Sequence, residues 1–408
     1  MVSETASNDI AIIGAGPAGL FAAEIIAATG LRVTIYERMP SPARKFLLAG
    51  RGGLNLTHSE PLEELLARYG GCADEVRAVV KAYPPSRLID WANGLDAQTF
   101  IGTSGRVFPK AMKASPLLRA WLRRLNGLGV TIKTRHHWTG FSEAGELVFA
   151  TPDGSITIKP DASLFALGGA SWPKLGSDGA WVDAFENAGI ASTPLLPANA
   201  GVLVPWSNVF KLRFEGTALK RIALSIAGAS ARGEAIVTTR GLEGGAVYAV
   251  IPHIRTALAA HGSATLSVDL KPDLDTAALT ERLSRRRPKE TLTNFLRKAA
   301  HLDPVAIALL REGAAPLPDS SEALAARIKA LPIQITGLTG LDRAISTAGG
   351  IAWSGLDSHL MIKARPGTFV AGEMLDWEAP TGGYLLQATF ATAAAAANGL
   401  LEWRAARQ

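Results

Sequence analysis

The sequence contains a single cysteine, Cys72, among 408 residues. An intramolecular disulfide, a CxxC redox pair and a zinc site built from cysteines are therefore excluded. The seven histidines show no HExxH spacing, no GxSxG motif occurs, and no lysine follows a glycine-rich loop in the Walker pattern. These absences argue against dithiol reductases, metalloenzymes, serine hydrolases and P-loop nucleotidases, and we expect no bound metal.

Long apolar runs are also missing. The longest ones are alanine-rich and well short of a membrane span. The opening MVSETASND is polar and has no basic segment followed by an apolar one. We therefore expect a cytoplasmic protein with no membrane partner.

Charged residues make up only 19% of the chain, against 48% hydrophobic residues. This balance is typical of a packed globular enzyme, and the length predicts two or three structural units. The net charge is +6. A basic surface favours an anionic partner, such as a nucleotide or RNA, without choosing among them.

The first informative motif is IAIIGAGPAGL, residues 10–20, which predicts a strand, a glycine turn and an apolar helix. In a dinucleotide-binding turn, Gly14 permits the bend, Gly16 lets a pyrophosphate approach the backbone, and Gly19 lets the helix pack on the strand. The helix start offers N–H groups and a positive dipole end to phosphates. The predicted cofactor contacts here are Gly14, Gly16, Pro17, Ala18 and Gly19.

A second strand, VTIYE, ends at Glu37, where an acidic residue binds the ribose hydroxyls of a dinucleotide. A carboxylate at this position favours a free ribose over a 2′-phosphate. Arg38, the next residue, is predicted to lie beside the same cofactor.

Beyond this point the pattern departs from regular βαβ repeats. An amphipathic segment at residues 115–129 precedes three strand-like runs, VTIKTRHHW, ELVFAT and SITIKP, which predict an antiparallel meander. Two more apolar strands end in glycine, at Gly168 and Gly169 and at Gly372 and Glu373. The last of them leads into a glycine-led helix with Gly382, Gly383, Tyr384 and Gln387.

These three glycine-bearing strand ends resemble the two-dinucleotide-binding-domain flavoproteins of the glutathione-reductase-like FAD fold. In that family the first motif holds the adenosine diphosphate part of FAD, the middle strand passes beside it, and the acid of the last motif binds the ribityl chain. Glu373 stands where aspartate is usual, and glutamate still accepts two hydroxyl hydrogen bonds.

Four longer segments are similar to the HI0933-like (BaiN-like) flavoproteins: ARKFLLAGRGGLNLTHSE, LFALGGASWPKLGSDGAWVDAFENAGI, ITGLTGLDRAISTAGGI and AGEMLDWEAPTGGYLLQATF. The resemblance covers nearly the whole chain. It implies an α/β fold in which a Rossmann-like FAD-binding domain is interrupted by an antiparallel β-barrel-like insert and a small helical unit.

One segment departs from that family. Its glycine run often continues with Arg-Cys-Asn, whereas here Gly53 and Leu54 occupy the first two of those positions and Asn55 is kept. Chemistry that requires a thiol at this position is therefore absent.

We predict the FAD-binding domain over residues 1–196 and 333–408, the β-barrel-like insert over 197–275 and the helical unit over 276–332. The helical unit contains RLSRRRPKETLTNFLRK, the strongest basic run in the chain. Two interpretations stay open for this run: a solvated helix face beside Pro288, or an anion-binding lid over the flavin.

The flavin ring is expected at the junction of the FAD domain and the insert, since domain junctions commonly build substrate sites. Lys45, Arg51 and Gly52 are predicted cofactor contacts, and the two basic side chains could bind pyrophosphate or steady negative charge at the flavin N1–C2 carbonyl. The sequence does not single out a catalytic residue. The candidates are Asn55, His58, Lys174 and Tyr384, with Thr57, Trp172 and Gln387 expected near them.

We therefore expect an FAD-dependent oxidoreductase that is reduced by NADH or NADPH and passes a hydride to an unsaturated or carbonyl-type substrate. Only one dinucleotide fingerprint is visible, so the nicotinamide is expected to dock transiently. A non-catalytic flavin-binding scaffold or redox sensor is the rival from another class.

The resembled family has been linked to reduction of a steroid enone, oxidation of aminoacetone, and reduction of a ribosomal RNA uridine to dihydrouridine. The partner is accordingly a small molecule or a structured RNA. If it is RNA, the basic run is expected to contact phosphates through Arg285, Arg286, Arg287 and Lys289.

Overall fold

The chain folds into two compact units, and one is inserted into the sequence of the other. The computed structural model describes residues 9–69, 74–287, 289–312 and 316–407. The first unit comprises Met1–Leu196 with Ser346–Gln408, and the inserted unit comprises Pro197–Ile345. Cys72 lies outside the described residues.

A parallel five-stranded sheet, in the order β20-β10-β1-β2-β6, forms the centre of the first unit. Its central strands β1 and β10 are almost entirely buried, which explains why they read as continuous apolar runs. The strands are β1 (Asp9–Ile13), β2 (Arg32–Glu37), β6 (Thr131–Thr134), β10 (Ala162–Phe165) and β20 (Thr368–Val370).

Helices α1 and α15 of the first unit pack against each other, with the Phe21 and Phe390 ring centroids 4.9 Å apart. Among the described residues, no helix combines the length and apolarity needed to cross a bilayer. The helices are α1 (Pro17–Ala27), α2 (Arg44–Ala49), α3 (Leu62–Ala67), α4 (Asp74–Ala82), α5 (Pro85–Asn93), α6 (Ala114–Gly127), α7 (Trp181–Asn187) and α15 (Tyr384–Ala405).

Three smaller sheets complete this unit, in the orders β3-β5-β4, β7-β8-β9 and β11-β19. Their strands are β3 (Thr57–His58), β4 (Phe100–Ile101), β5 (Arg106–Phe108), β7 (His137–Phe141), β8 (Leu147–Thr151), β9 (Gly154–Ile158), β11 (Ser192–Ala198) and β19 (Ser346–Ile351).

The predicted meander begins later than expected. The run VTIKTRHHW contains two strands, because Arg135 adopts a left-handed conformation (φ 59°) and turns the chain. The part before the turn, β6, joins the parallel sheet beside β2, and only β7 belongs to the antiparallel meander with β8 and β9.

The inserted unit contains an antiparallel seven-stranded sheet in the order β17-β16-β13-β14-β15-β12-β18. The two strands at the ends of this order, β17 and β18, are separated by one residue in sequence, so the two edges of the sheet come close together at this point. The strands are β12 (Val202–Leu203), β13 (Ala218–Ile226), β14 (Ala229–Val237), β15 (Gly241–Glu243), β16 (Ala264–Asp269), β17 (Leu331–Ile335) and β18 (Gly337–Leu338).

Helices of the inserted unit share one hydrophobic core with this sheet. The sequence predicts a separate helical unit that begins at residue 276 and a second part of the FAD-binding domain that begins at residue 333. In the structure, β17 and β18 pair with β16 and β12, so the inserted unit extends to residue 345. The helices are α8 (Asn208–Phe214), α9 (Gly245–Tyr248), α10 (Ile251–His261), α11 (Thr276–Leu283), α12 (Leu292–Ala299), α13 (Pro304–Glu312) and α14 (Ser321–Lys329).

The basic run lies mainly between helices rather than on one helix face. Helix α11 ends at Leu283 and α12 begins at Leu292, so Arg285, Arg286, Arg287 and Lys289 belong to the connecting loop. Arg285 forms an ion pair with Glu281, and Arg286 donates hydrogen bonds to the Glu290 carbonyl. Pro288 lies outside the described residues.

Candidate functional site

The three glycines after β1 have two different structural roles. A Cβ on Gly14 (φ +105°) would lie 2.4 Å from the Ala166 carbonyl oxygen, and one on Gly19 would lie 1.9 Å from the Gly14 oxygen. A Cβ on Gly16 would meet no heavy atom within 4 Å. Gly14 and Gly19 therefore allow close packing, whereas Gly16 borders open space at the start of α1.

The open space lies beside the free N-terminal end of α1. Gly16 is the N-cap residue, no side chain within the described ranges caps the helix, and Pro17 and Ala18 lie in its first turn. The unpaired N–H groups and the helix dipole make this end suited to a phosphate.

Glu37 lies at the end of β2, beside the same turn. Its carboxylate accepts hydrogen bonds from the backbone N–H groups of Ala15 and Met39, each at 2.8 Å. Burial raises the pKa of Glu37, while these two hydrogen bonds and the charges of Arg38 and Arg44 oppose the shift. A carboxylate has about four acceptor positions, so two remain for ribose hydroxyls.

Arg38 does not extend freely towards this turn. Its guanidinium donates to the Asp178 carboxylate at 2.8 Å. The sequence prediction missed Asp178, which follows the second glycine strand end by nine residues.

The second and third glycine strand ends meet the first. A Cβ on Gly372 (φ +83°) would lie 2.9 Å from the Ala18 Cβ, and one on Gly169 would lie 3.3 Å from the Glu373 carboxyl carbon. Gly168 also has a left-handed conformation, with φ +73°. The three segments predicted to bind FAD therefore converge at one edge of the parallel sheet.

Lys45 and Glu373 form the charged centre of this convergence. The Lys45 Nζ donates to the Glu373 Oε2 and to the Ser171 Oγ, both at 2.6 Å. The other Glu373 oxygen accepts from the Thr347 N–H at 3.1 Å. The sequence placed Lys45 and Glu373 at the cofactor but did not predict that they contact each other, and it missed Ser171 and Thr347.

The loop that replaces the family's Arg-Cys-Asn follows α2. Arg51 and Gly52 are exposed, and a Cβ on Gly53 would lie 2.9 Å from the Met112 methyl group. Nearby β4 exposes Phe100 and Ile101, which are 43% and 61% accessible. Apolar side chains therefore lie beside Gly53, while Leu54, which occupies the position of the family's cysteine, is fully buried.

Asn55, two residues further on, has a buried side-chain oxygen with no hydrogen-bond partner among the described residues. Leaving such an acceptor unpaired costs about 1–3 kcal/mol. A bound group that donates a hydrogen bond would recover this energy, which makes Asn55 the strongest of the candidate catalytic or cofactor-contacting side chains.

We expect Asn55→Leu to raise the unfolding free energy of the FAD-free protein by about 1 kcal/mol, because it removes the unpaired acceptor while keeping a similar shape. The same change should weaken FAD binding or slow turnover. Urea unfolding and flavin titration measure the two effects.

Thr57→Val provides the matched comparison. The Thr57 hydroxyl donates to the Gln387 amide oxygen at 2.7 Å within the core, so its removal should destabilise the protein by about 1–3 kcal/mol. If Asn55→Leu destabilises the protein by as much as Thr57→Val, Asn55 has a structural partner and this interpretation is wrong.

His58 and Tyr384 stack on each other, with ring centroids 5.4 Å apart. The His58 Nε2 lies 3.0 Å from the Ser104 carbonyl oxygen, and its Nδ1 accepts from the Glu60 N–H at 3.2 Å. Both ring nitrogens of His58, one of the candidate catalytic residues, therefore contact the backbone of neighbouring residues.

The Tyr384 hydroxyl interacts with Glu60, a residue that the sequence prediction missed. Burial and the hydrogen bond to Glu60 raise the pKa of Tyr384. Burial opposes ionisation of Glu60, but hydrogen bonds from Arg68 and Tyr384 outweigh it and lower the pKa of that carboxyl. Tyr384 therefore remains protonated and anchors the start of α15.

Gln387, Gly382 and Gly383 also support α15. Gln387 is fully buried, accepts from Thr57 and donates to the Tyr83 carbonyl at 2.7 Å. A Cβ on Gly383 would lie 2.6 Å from the Thr57 backbone, and one on Gly382 would lie 3.0 Å from the Tyr384 ring. Both ends of the Gln387 amide, which was predicted to contact the cofactor, therefore form a hydrogen bond within the protein.

Lys174 lies in a short 3₁₀ helix, Pro173–Leu175, and its side chain is exposed. The preceding Trp172 is half-buried and adopts a left-handed conformation, with φ 63°. Within the described ranges, no group of three or more histidine, cysteine, aspartate or glutamate side chains is arranged to hold a metal ion.

The residues of this edge fit FAD. The end of α1 at Gly16 would hold the pyrophosphate, Glu37 the adenosine ribose, and Glu373 the ribityl chain. Asn55 of the same unit has a buried side-chain oxygen that accepts no hydrogen bond from the described residues.

Known proteins with similar sequences cover almost the whole chain. A ribosomal RNA dihydrouridine synthase from Escherichia coli K12 is 26% identical over 96% of this chain and 98% of its own length. A 3-dehydro-bile acid delta(4,6)-reductase from Clostridium scindens is 24% identical over 94% and 97%, respectively.

The fold also matches a solved structure of a 3-ketosteroid delta1-dehydrogenase from Sterolibacterium denitrificans, with a TM-score of 0.53 and 12% identity over 97% of this chain and 100% of the other. At this identity the match shows the fold alone. The family model described as the HI0933-like protein Rossmann domain matches residues 8–399. The chain belongs to the HI0933-like family, whose members bind FAD and act as oxidoreductases.

Proposed function

We propose that this FAD-dependent oxidoreductase takes electrons from NADH or NADPH and reduces a carbon–carbon double bond conjugated to a carbonyl group. The observation that carries the proposal is the convergence of Gly16, Glu37 and Glu373 on one edge of the sheet, with the unpaired Asn55 oxygen in the same unit.

The reaction class is supported by the names of two relatives. A dihydrouridine synthase and a 3-dehydro-bile acid delta(4,6)-reductase both act on a ring double bond next to a carbonyl, although the two rings differ. The apolar surface of Phe100, Ile101 and Met112 beside Gly53 suits the face of such a ring.

FAD, when bound, supplies the exchange of hydride between donor and acceptor. The protein supplies position and charge. Lys45 neutralises Glu373 in a site that is largely buried, and the α1 terminus neutralises phosphate charge. Asn55 offers an acceptor that can orient a ring N–H.

Anaerobic mixing with each nicotinamide should bleach the flavin absorbance, with NADH or NADPH clearly faster. Subsequent addition of a cyclic enone or of uridine-containing RNA should restore it only for the class of substrate that the enzyme reduces. A protein that stays oxidised with both nicotinamides would support the flavin scaffold instead.

The distribution of charge favours RNA as the molecule that contains the ring to be reduced. The inserted unit, residues 197–345, has 19 basic and 13 acidic residues, a net charge of +6. The first unit has 23 of each and is neutral. The whole net charge of the chain therefore lies in the unit that lacks the predicted FAD site, where it can attract a polyanion.

A further inference from the structure

We propose that a basic groove on β13 and β14 of the inserted unit binds the phosphodiester backbone of RNA. This inference rests on the RNA form of the proposed function. The groove has a volume of about 510 Å³ and is lined by Lys220, Arg221 and Arg232 together with the acids Glu234 and Asp273.

A β-bulge in β13 creates the groove's basic edge. The pairing of β13 with β14 shifts register between Leu219 and Ile222, which are both buried, while Lys220 and Arg221 between them are both exposed. Arg221 adopts a left-handed conformation, with φ 53°. A regular strand would send these two side chains to opposite faces, whereas the bulge presents both cations outward.

The cations of the groove are only partly neutralised by the protein. Lys220 and Arg221 form no ion pair within the described residues. Arg232 donates to the Pro272 carbonyl at 2.9 Å and lies 3.5 Å from the Asp273 carboxylate, with both side chains about two-thirds exposed. Exposed pairs of this kind contribute little, so Arg232 can exchange Asp273 for a phosphate.

Lys271, next to the groove-lining Pro272, lies within the electrostatic influence of Arg221. Burial lowers the pKa of Lys271, and the charges of Arg221 and Arg282 add to this effect, against Asp303 and Asp273. Its Nζ donates to the His301 carbonyl at 2.6 Å. An anion in the groove would offset the mutual repulsion of these cations.

The groove is suited to phosphates rather than to bases. In the part of the chain that the structure describes, no aromatic side chain lines it, and its apolar side chains are those of Ile222 and Pro272. Binding of unpaired bases usually requires aromatic stacking surfaces, whereas arginine forks bind phosphate oxygens directly. We therefore expect binding that depends strongly on salt and weakly on sequence.

The test compares two variants that lose the same two charges from the inserted unit. Lys220→Gln/Arg221→Gln changes the groove, and Arg285→Gln/Arg287→Gln changes the α11–α12 loop. Fluorescence anisotropy with a labelled ribosomal RNA transcript is measured over a series of salt concentrations. The groove variant should bind about tenfold more weakly, and its log–log salt slope should fall by about 1–2 units. The loop variant should change binding less than about twofold.

Equal losses in both variants, or no loss in the groove variant, would overturn the proposal. Groove-dependent binding of anionic phosphatidylglycerol vesicles in preference to the transcript would also overturn it, in favour of a membrane surface. If the double variant does not fold, Lys220→Gln alone should still show about half of the slope change.

The outcome is separable from that of the reductase proposal. Flavin content and nicotinamide reduction report on the first unit and should be the same in the parent and the groove variant. Groove-dependent RNA binding without flavin reduction would refute the reductase alone, and flavin reduction with groove-independent binding would refute the groove alone.

Discussion

A Gly16→Val variant is expected to fold but to lose FAD. Gly16 has an ordinary φ of −78°, and a Cβ at this position meets no protein atom within 4 Å. The valine side chain would instead occupy the space where the pyrophosphate approaches the backbone. Flavin content should fall from nearly stoichiometric to under about a tenth, measured by absorbance after purification and after incubation with FAD.

Gly127→Val is the matched control. Gly127 is the last residue of α6, is exposed, and also has open space at its Cβ, so the variant should retain FAD. Gly19→Ala should instead disturb the protein itself, because its Cβ would lie 1.9 Å from the Gly14 oxygen. This variant should lose both its stability and its flavin. Full flavin content in Gly16→Val would place the phosphates elsewhere.

The first βαβ unit was predictable because the structural roles of its glycines are all set within one short segment. Gly14 has the positive φ that its predicted bend requires, Gly19 has the close packing predicted for it, and Gly16 borders open space. Glu37 follows at a fixed distance because one strand, one helix and a second strand have narrow length ranges. Contacts within one short segment can therefore be predicted from the sequence of that segment.

Contacts between distant segments were not predictable. Lys45 meets Ser171 and Glu373, which are 126 and 328 residues away in sequence, and nothing in a single sequence indicates such a pairing. The same holds for Glu60, which looks like a surface residue but has a side chain only 7% exposed. Burial of that carboxylate depends on Tyr384, far along the chain.

The predicted end of the inserted segment, at residue 332, was wrong for a related reason. The inserted unit extends to residue 345. Strand β17 follows α14 after a single residue, and β18 has only two residues. Their membership of the seven-stranded sheet depends on pairing with β16 and β12. Strand propensity shows that an extended segment exists, but not which unit it joins.

Lys45→Met is expected to lower the unfolding free energy of the FAD-free protein by about 2–3 kcal/mol. The Glu373 side chain is 10% exposed, so loss of Lys45 leaves a buried carboxylate with the Thr347 N–H as its remaining bond described here. Removing one member of a fully buried pair costs about 3–5 kcal/mol. We expect less here because Lys45 is 24% exposed and water partly screens the pair.

Glu373→Gln should cost less, about 1 kcal/mol, because the amide oxygen can still accept from Thr347 and the Lys45 ammonium can reach solvent. The double variant should be more stable than the sum of the two single changes predicts, with a coupling of about 1–2 kcal/mol in urea unfolding. Lys81→Met, on the exposed surface of α4, should change stability by less than about 0.5 kcal/mol. Strict additivity of the two single effects would mean that the contact is not an energetically coupled pair. Two results together would define the role of Lys45: energetic coupling in the FAD-free protein, and weaker FAD binding by Glu373→Gln. They would show that Glu373 binds the cofactor and that Lys45 holds its carboxylate in position before FAD binds.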